Sequence, residues 1–181
     1  QPIFLDDQDR TVFLGLLKRY LDPSDRIDRQ SNGCDYPCYN EEVELLAYCL
    51  MVNHFHLFLY QHSAEGMKRL LRSLSVAYGM YFNKKYKRVG PVFQQRYRAV
   101  LISSDSQLMH LTRYIHLNPD HYESYEWSSL ENYTGHRYSR WVHTHRVLSL
   151  FDHSIAKYSS FIDEYKERRD ELMRTKNDFA G

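Results

Sequence analysis

Tyr48-Cys-Leu-Met-Val-Asn-His54-Phe-His56-Leu-Phe-Leu-Tyr60 decides how the rest of this chain folds. Two short apolar runs flank a polar break at Asn53, the pattern of two strands, over about 43–52 and 54–61, with a turn between them. Side chains alternate along a strand, so His54 and His56 project from one face. Two imidazoles side by side on a rigid strand are half of a metal site. They can equally be half-buried strand histidines, each hydrogen-bonded to a neighbour. The chain has ten histidines and a second His-x-His at His143-Thr-His145, so the spacing alone does not choose.

Working outward, residues 6–21 read as a helix: Asp6 can cap it, Asp7 and Asp9 sit in its first turn, and Val12, Phe13, Leu16, Leu17 and Tyr20 form one stripe. Asp22-Pro23 ends it, and 22–42 is punctuated by Pro23, Asn32-Gly33 and Pro37, with a small hairpin possible at Asn32-Gly33. Beyond the two strands, Met67, Leu70, Leu71, Leu74, Ala77, Tyr78 and Tyr81 recur at helical spacing over 64–86. Gly90-Pro91 breaks the chain, and Val92 to Ile102 has the look of a strand. Ser104 with Gln107 then signs the start of a helix over 105–118, stopped by Pro119. The order helix, strand, strand, helix, strand, helix needs one more strand ahead of Gln1 to become an α+β, ferredoxin-like split β-α-β sheet with helices on one face. That first strand is expected to be missing from this chain. Residues 1–120 would form the core, and 121–181 an accessory extension with a helix near 155–174.

The composition sets outer bounds. A chain of 181 residues can bury its own core, and no apolar run is long enough to cross a bilayer. Nothing resembles a signal peptide, and three cysteines, Cys34, Cys38 and Cys49, make no disulfide framework, so a reducing cytoplasm is expected. Cys34 and Cys38 lack the partner pair that a zinc knuckle needs. The formal net charge is only +1, but it is unevenly spread. From Gly66 to Ser104 there are nine basic residues and no Asp or Glu. An unmixed block of Lys68, Arg69, Arg72, Lys84, Lys85, Lys87, Arg88, Arg96 and Arg98 suits a polyanion, although a basic block is often only a solvated surface.

The helix at 105–118 places His110, Tyr114 and Asn118 four residues apart, on one face. Turned toward His54 and His56, that face would bring Asn118 as a third, oxygen ligand and Tyr114 as a nucleophile. A divalent ion so held keeps positions open for phosphate oxygens. The bland reading is a core aromatic and a helix terminus, and the chain has sixteen tyrosines.

With these residues assembled, the sequence resembles the IS200-like transposases, the single-tyrosine HUH enzymes, and within them the REP-associated tyrosine transposases. The resemblance runs through Ile3-Phe-Leu-Asp-Asp-Gln-Asp-Arg10, Met51-Val-Asn-His-Phe-His-Leu57, Gly90-Pro-Val-Phe-Gln-Gln-Arg-Tyr-Arg98, Arg113-Tyr-Ile-His-Leu-Asn-Pro119 and Trp127-Ser-Ser129, in the family's order. Departures at Val52, Gln95 and Asp120 remove no group the chemistry needs. The resemblance implies an endonuclease and strand transferase acting on single-stranded or hairpin DNA in a bacterial-type cytoplasm, near the nucleoid, as a monomer or homodimer. It implies that His54 and His56, with Asn118, bind Mg²⁺ or Mn²⁺, and that Tyr114 forms a 5′-phosphotyrosine link. The basic residues Lys68, Arg72, Lys84, Lys85, Lys87, Arg88, Arg96 and Arg98 are then expected along a DNA path, where Tyr97 could stack on a base. Tyr78 and Tyr81, on the apolar helix face, are expected in the core. Two other functions fit the same residues: a domesticated transposase that binds hairpins without cutting, and a metal-dependent nuclease that uses water in place of Tyr114.

Overall fold

The computed structural model describes residues 1–24, 36–95 and 97–165. Its centre is the hairpin of β1 (Val43–Leu50) and β2 (Phe55–Gln61), paired antiparallel from Leu50↔Phe55 to Val43↔Gln61 with one irregularity between Leu45 and Ala47. The Met51 amide donates to the His54 carbonyl at 2.9 Å and closes the turn. The Val52 carbonyl accepts from the Ile3 and Phe4 amides at 3.0 and 3.1 Å, so the N-terminal segment is tied to the turn.

Helix α1 (Asp7–Leu21) starts where the sequence signals it. Asp6 caps it by accepting from the Asp9 amide at 3.0 Å, and Asp9 answers with Oδ2, which accepts from the Leu5 amide at 2.8 Å and the Asp6 amide at 3.4 Å. Helix α2 (Gly66–Tyr86) buries Leu70, Leu71, Leu74, Tyr78 and Phe82. The two helices share one core with Leu45, Tyr48 and Leu50 of β1 and with Phe55, Leu57 and Leu59 of β2. Phe13 and Tyr78 meet edge to face at 5.2 Å, and the Tyr78 hydroxyl donates to the Ile3 carbonyl at 2.6 Å. Tyr78 is thus a core residue, as expected. Tyr81, half-buried against the same core, donates to Asp9 Oδ1 at 2.9 Å.

The opposite face of the hairpin is covered as well. Leu46, Ala47, Cys49 and Phe58 pack with Ile115 of α3 (Asp105–His116), with α4 (Leu130–Tyr133) and α5 (His145–Leu148), and with Tyr158 and Ile162 in the helical residues 155–165. Every residue of β1 except Glu44 is buried, which is the mark of a strand covered on both faces. Helices on both faces replace the single helical layer expected from the sequence. The outer edge of β1 is also occupied: the Leu50 amide donates to the Trp127 carbonyl at 2.9 Å, and the Ser129 amide to the Tyr48 carbonyl at 3.0 Å. The His143 amide adds a bond to the Leu45 carbonyl at 2.8 Å.

The mixed α+β class holds, with a second correction. The described residues of 92–102 form no strand, and the sheet of the described residues has two strands. Val92 is buried and Phe93 packs on Phe55 at 5.9 Å, but Tyr97, Arg98, Val100 and Leu101 are exposed. A β-like pattern becomes a strand only when it pairs with another edge, and the described residues of this segment pair with neither strand of the hairpin. The candidate hairpin at Asn32-Gly33, Cys34, and the stretch 166–174 of the last expected helix lie outside the described residues. Among the described residues, no helix is long and apolar enough to cross a membrane.

Candidate active site

β2 and α3 build the site. His56 lies opposite Cys49 in the ladder and shares its face with Phe58, which points into the core lined by α3. His54 stands one residue ahead of β2, at the end of the turn, and is exposed. The two imidazoles meet edge to face, centroids 4.9 Å apart, as the alternation of strand side chains requires. His54 Nδ1 is 2.7 Å from Asn53 Oδ1. An amide oxygen can only accept, so Nδ1 carries the proton and Nε2 keeps its lone pair free. His56 Nε2 is buried and has no hydrogen-bond partner. Burial, and after it the charge His54 would carry, pushes the His56 imidazolium below the ordinary histidine range, so the neutral ring is favoured.

Helix α3 begins at Ser104, whose hydroxyl accepts from the Gln107 amide at 3.2 Å. Gln107 Oε1 in turn accepts from the Ser103 amide at 3.0 Å rather than from that of Ser104, so the capping box is offset by one residue. The helix runs to His116, not to Asn118, and the Leu117 amide closes it on the Arg113 carbonyl at 2.9 Å. Pro119 explains the early stop, since the residue before a proline avoids helical geometry. Asn118 is half-buried just past the helix, and the shared helical face ends at Tyr114. The Tyr114 ring is 5.5 Å from the His56 ring, edge to face, and is 55% exposed. His110 leans elsewhere: its Nδ1 takes a bond from Arg113 at 2.9 Å, and its ring is 5.8 Å from Phe161.

Sequence reasoning missed His116. It is fully buried, with Nδ1 2.7 Å from the Tyr158 hydroxyl and Nε2 2.8 Å from Ser129 Oγ. Burial, reinforced by the positive charge of Arg137, pushes its pKa down to about 3. Ser129 Oγ also accepts from the Tyr48 amide at 2.9 Å. The one available signal was its position between Ile115 and Leu117, two residues that are themselves buried.

The basic residues divide. Lys85 is held by Asp6 at 2.7 Å and by the fully buried Asp9 at 2.8 Å, and lies over the Tyr81 and Tyr86 rings. Burial disfavours the Lys85 charge, but Asp6, Asp9 and the two tyrosine hydroxyls outweigh it and raise its pKa. Lys68 pairs with Glu65 at 2.8 Å, and Arg88 stacks on Phe82 at 5.5 Å. Arg72, Lys84, Lys87 and Arg98 are exposed, and Arg96 lies outside the described residues.

Among the described residues, no three or more His, Cys, Asp and Glu side chains are gathered so as to hold a metal ion. Comparison with characterised proteins and with solved structures yields no match. A family model described as "Transposase IS200 like" matches residues 24–118, over half of the chain, a segment that includes His54, His56, Tyr114 and Asn118. The chain therefore belongs to the IS200-like transposases, and its activity is that of a transposase acting on DNA.

Proposed function

We propose that the chain is a single-strand DNA endonuclease and strand transferase whose nucleophile is Tyr114. One observation carries the reading: an exposed phenol stands against an imidazole, His56, whose buried Nε2 has no protein partner. A buried nitrogen left without a partner costs stability, and a ligand outside the chain would supply what it lacks. The donor set of two neutral imidazoles and the Asn118 amide oxygen suits Mg²⁺ or Mn²⁺ when water or phosphate oxygens complete the shell. When bound there, a divalent ion supplies Lewis-acid stabilisation of charge on the scissile phosphate.

The residues of the chain do the rest. Tyr114 Oη attacks the phosphorus and loses its proton to solvent. The bond from phosphorus to the 3′ oxygen breaks, and that oxygen leaves as a 3′-hydroxyl after taking up a proton. A 5′-phosphotyrosine remains, so one phosphodiester has been exchanged for another and rejoining needs no external energy source. His54 and His56 serve as ligands, and Asn53 holds the His54 ring in place. Arg72, Lys84, Lys87, Arg88 and Arg98 contact the phosphates of single-stranded or hairpin DNA, with Lys68 beside them. Lys85, committed to Asp6 and Asp9, contributes least.

The test is a denaturing gel of the protein incubated with labelled hairpin DNA and Mn²⁺. A covalent protein–DNA band is expected, absent in Tyr114→Phe and in the His54→Ala/His56→Ala double variant. Cleavage that persists in Tyr114→Phe without a covalent band would replace the tyrosine by water. Binding without cleavage in any protein would make the chain a hairpin binder.

A further inference from the structure

His116 follows Tyr114 by two positions in α3, and at 3.6 residues per turn the two side chains leave the helix in nearly opposite directions. Tyr114 points outward beside His56, while His116 points inward and is fully buried. Its two ring nitrogens end on two different parts of the chain. Nε2 meets Ser129 Oγ at 2.8 Å, and that oxygen lies 2.9 Å from the Tyr48 amide and 3.3 Å from the Tyr48 carbonyl. Tyr48 is the neighbour of Cys49, the ladder partner of His56, so this bond refers α3 to the strand pair that presents His56. Nδ1 meets the Tyr158 hydroxyl at 2.7 Å. The Tyr158 ring is itself fixed between Tyr133 at 4.9 Å and Phe151 at 5.2 Å.

We infer that His116 is a positioning residue for the nucleophile: its paired bonds to Ser129 and Tyr158 set the rotation of α3 about its axis, and with it the place of the Tyr114 hydroxyl. The inference rests on the reading of Tyr114 as nucleophile. Apolar contacts from Ile115 and Leu117 hold the helix down but are tolerant of rotation, whereas two directional bonds in opposite senses are not. The lever is long. A phenol oxygen lies ~9 Å from a helix axis, so a rotation of ~10° carries it ~1.5 Å sideways. Misplacement of a reacting group by about 1 Å can cost on the order of a hundredfold in rate.

Tyr158→Phe and Ser129→Ala each remove one anchor while leaving the neighbouring rings in place. Phe151→Leu loosens the same core and leaves both bonds intact, which makes it the control for general destabilisation. All are compared in the full chain, well below their melting temperatures. The single-turnover rate of covalent adduct formation with hairpin DNA and Mn²⁺ should fall at least about tenfold in the two anchor variants, with DNA affinity within about twofold of wild type. Phe151→Leu should keep the wild-type rate within about twofold. A second readout needs no turnover: the nuclear Overhauser contact between the Tyr114 and His56 rings should weaken in the anchor variants and persist in Phe151→Leu. Unchanged rates and ring contacts in both anchor variants would overturn the inference. So would parallel losses of rate and affinity in all three. Failure of the Tyr114 reading looks different: Tyr114→Phe would then match the wild type, whether in adduct formation, in cleavage without an adduct or in binding without cleavage; the ring contact would still decide whether His116 sets the place of Tyr114.

Discussion

The rings of His56 and Tyr114 meet edge to face at 5.5 Å, one carried by a strand and the other by a helix packed across it. The imidazole is more buried than the phenol, and its Nε2 is the buried, unpartnered atom of the pair. That asymmetry separates what the two residues contribute to stability from what they contribute to chemistry.

Replacing His56 by Leu removes a buried nitrogen that nothing in the chain satisfies. The folded protein should gain on the order of 1 kcal/mol, read as a higher urea midpoint, while Mn²⁺ affinity falls by at least about tenfold. A loss of stability equal to that of an ordinary core substitution would mean that the nitrogen is satisfied after all.

Asp9 should behave as a structural carboxylate. It is fully buried and accepts from Lys85, Tyr81, Tyr86 and the Leu5 amide. Asp9→Ala leaves the Lys85 ammonium without its buried partner, and a loss of about 3 kcal/mol is expected from denaturant unfolding. DNA affinity measured on the folded fraction should not change.

Acid should unfold the protein in a defined window. Hydrogen bonds from Arg146 hold the Glu44 carboxyl down at about 2 against burial, with His62 adding to the effect, while its ordinary value is 4.5. A carboxyl with a depressed folded pKa stabilises the fold fully above the unfolded value and loses that contribution as pH falls through the folded one. Stability should therefore decline between pH 4.5 and about 2, and Arg146→Met should flatten this decline. Asp9 adds to it in the same direction: burial raises its pKa, but the bond from Lys85 and those from Leu5, Tyr86 and Tyr81 bring it below 3.8. Urea midpoints measured down the acid limb give the slope.

The basic residues can be sorted by salt. Arg72→Ala and Lys84→Ala, both exposed on α2, should each lower the slope of log affinity against log salt by about 0.7 for single-stranded DNA. Lys85→Met should leave that slope unchanged and lower stability, because its partners are Asp6 and Asp9.

Local signals carried the sequence far. The Asp6 cap, the stripe of α1, the two strands and the start of α3 at Ser104 all follow from neighbours within a few positions, and the structure has them. What escaped depended on distant partners. The strand-like composition of 92–102 is real, but pairing depends on a partner that the segment itself does not encode. His116 looked like one histidine among ten, since its partners Ser129 and Tyr158 lie far along the chain. Lys85 was grouped with Lys84 by charge, although the helix turns one toward Asp6 and Asp9 and leaves the other exposed. His54 and His56 were legible as a pair because strand geometry is local. Their approach to Tyr114 could be inferred only from the order of elements.

The pairing of Trp127 and Ser129 with the outer edge of β1 bears on how the chain can be shortened. Cut near residue 120, it would keep both histidines, the tyrosine and the asparagine, every group the proposed chemistry names. It would also strip the Leu50 amide and Tyr48 carbonyl of their partners and lay open the apolar side of Leu46, Ala47 and Cys49. A bare apolar edge is a template for self-association. Such a fragment would be expected to aggregate rather than to act as a smaller transposase, and loss of activity on truncation would report insolubility before it reported any role for the missing residues in DNA cleavage.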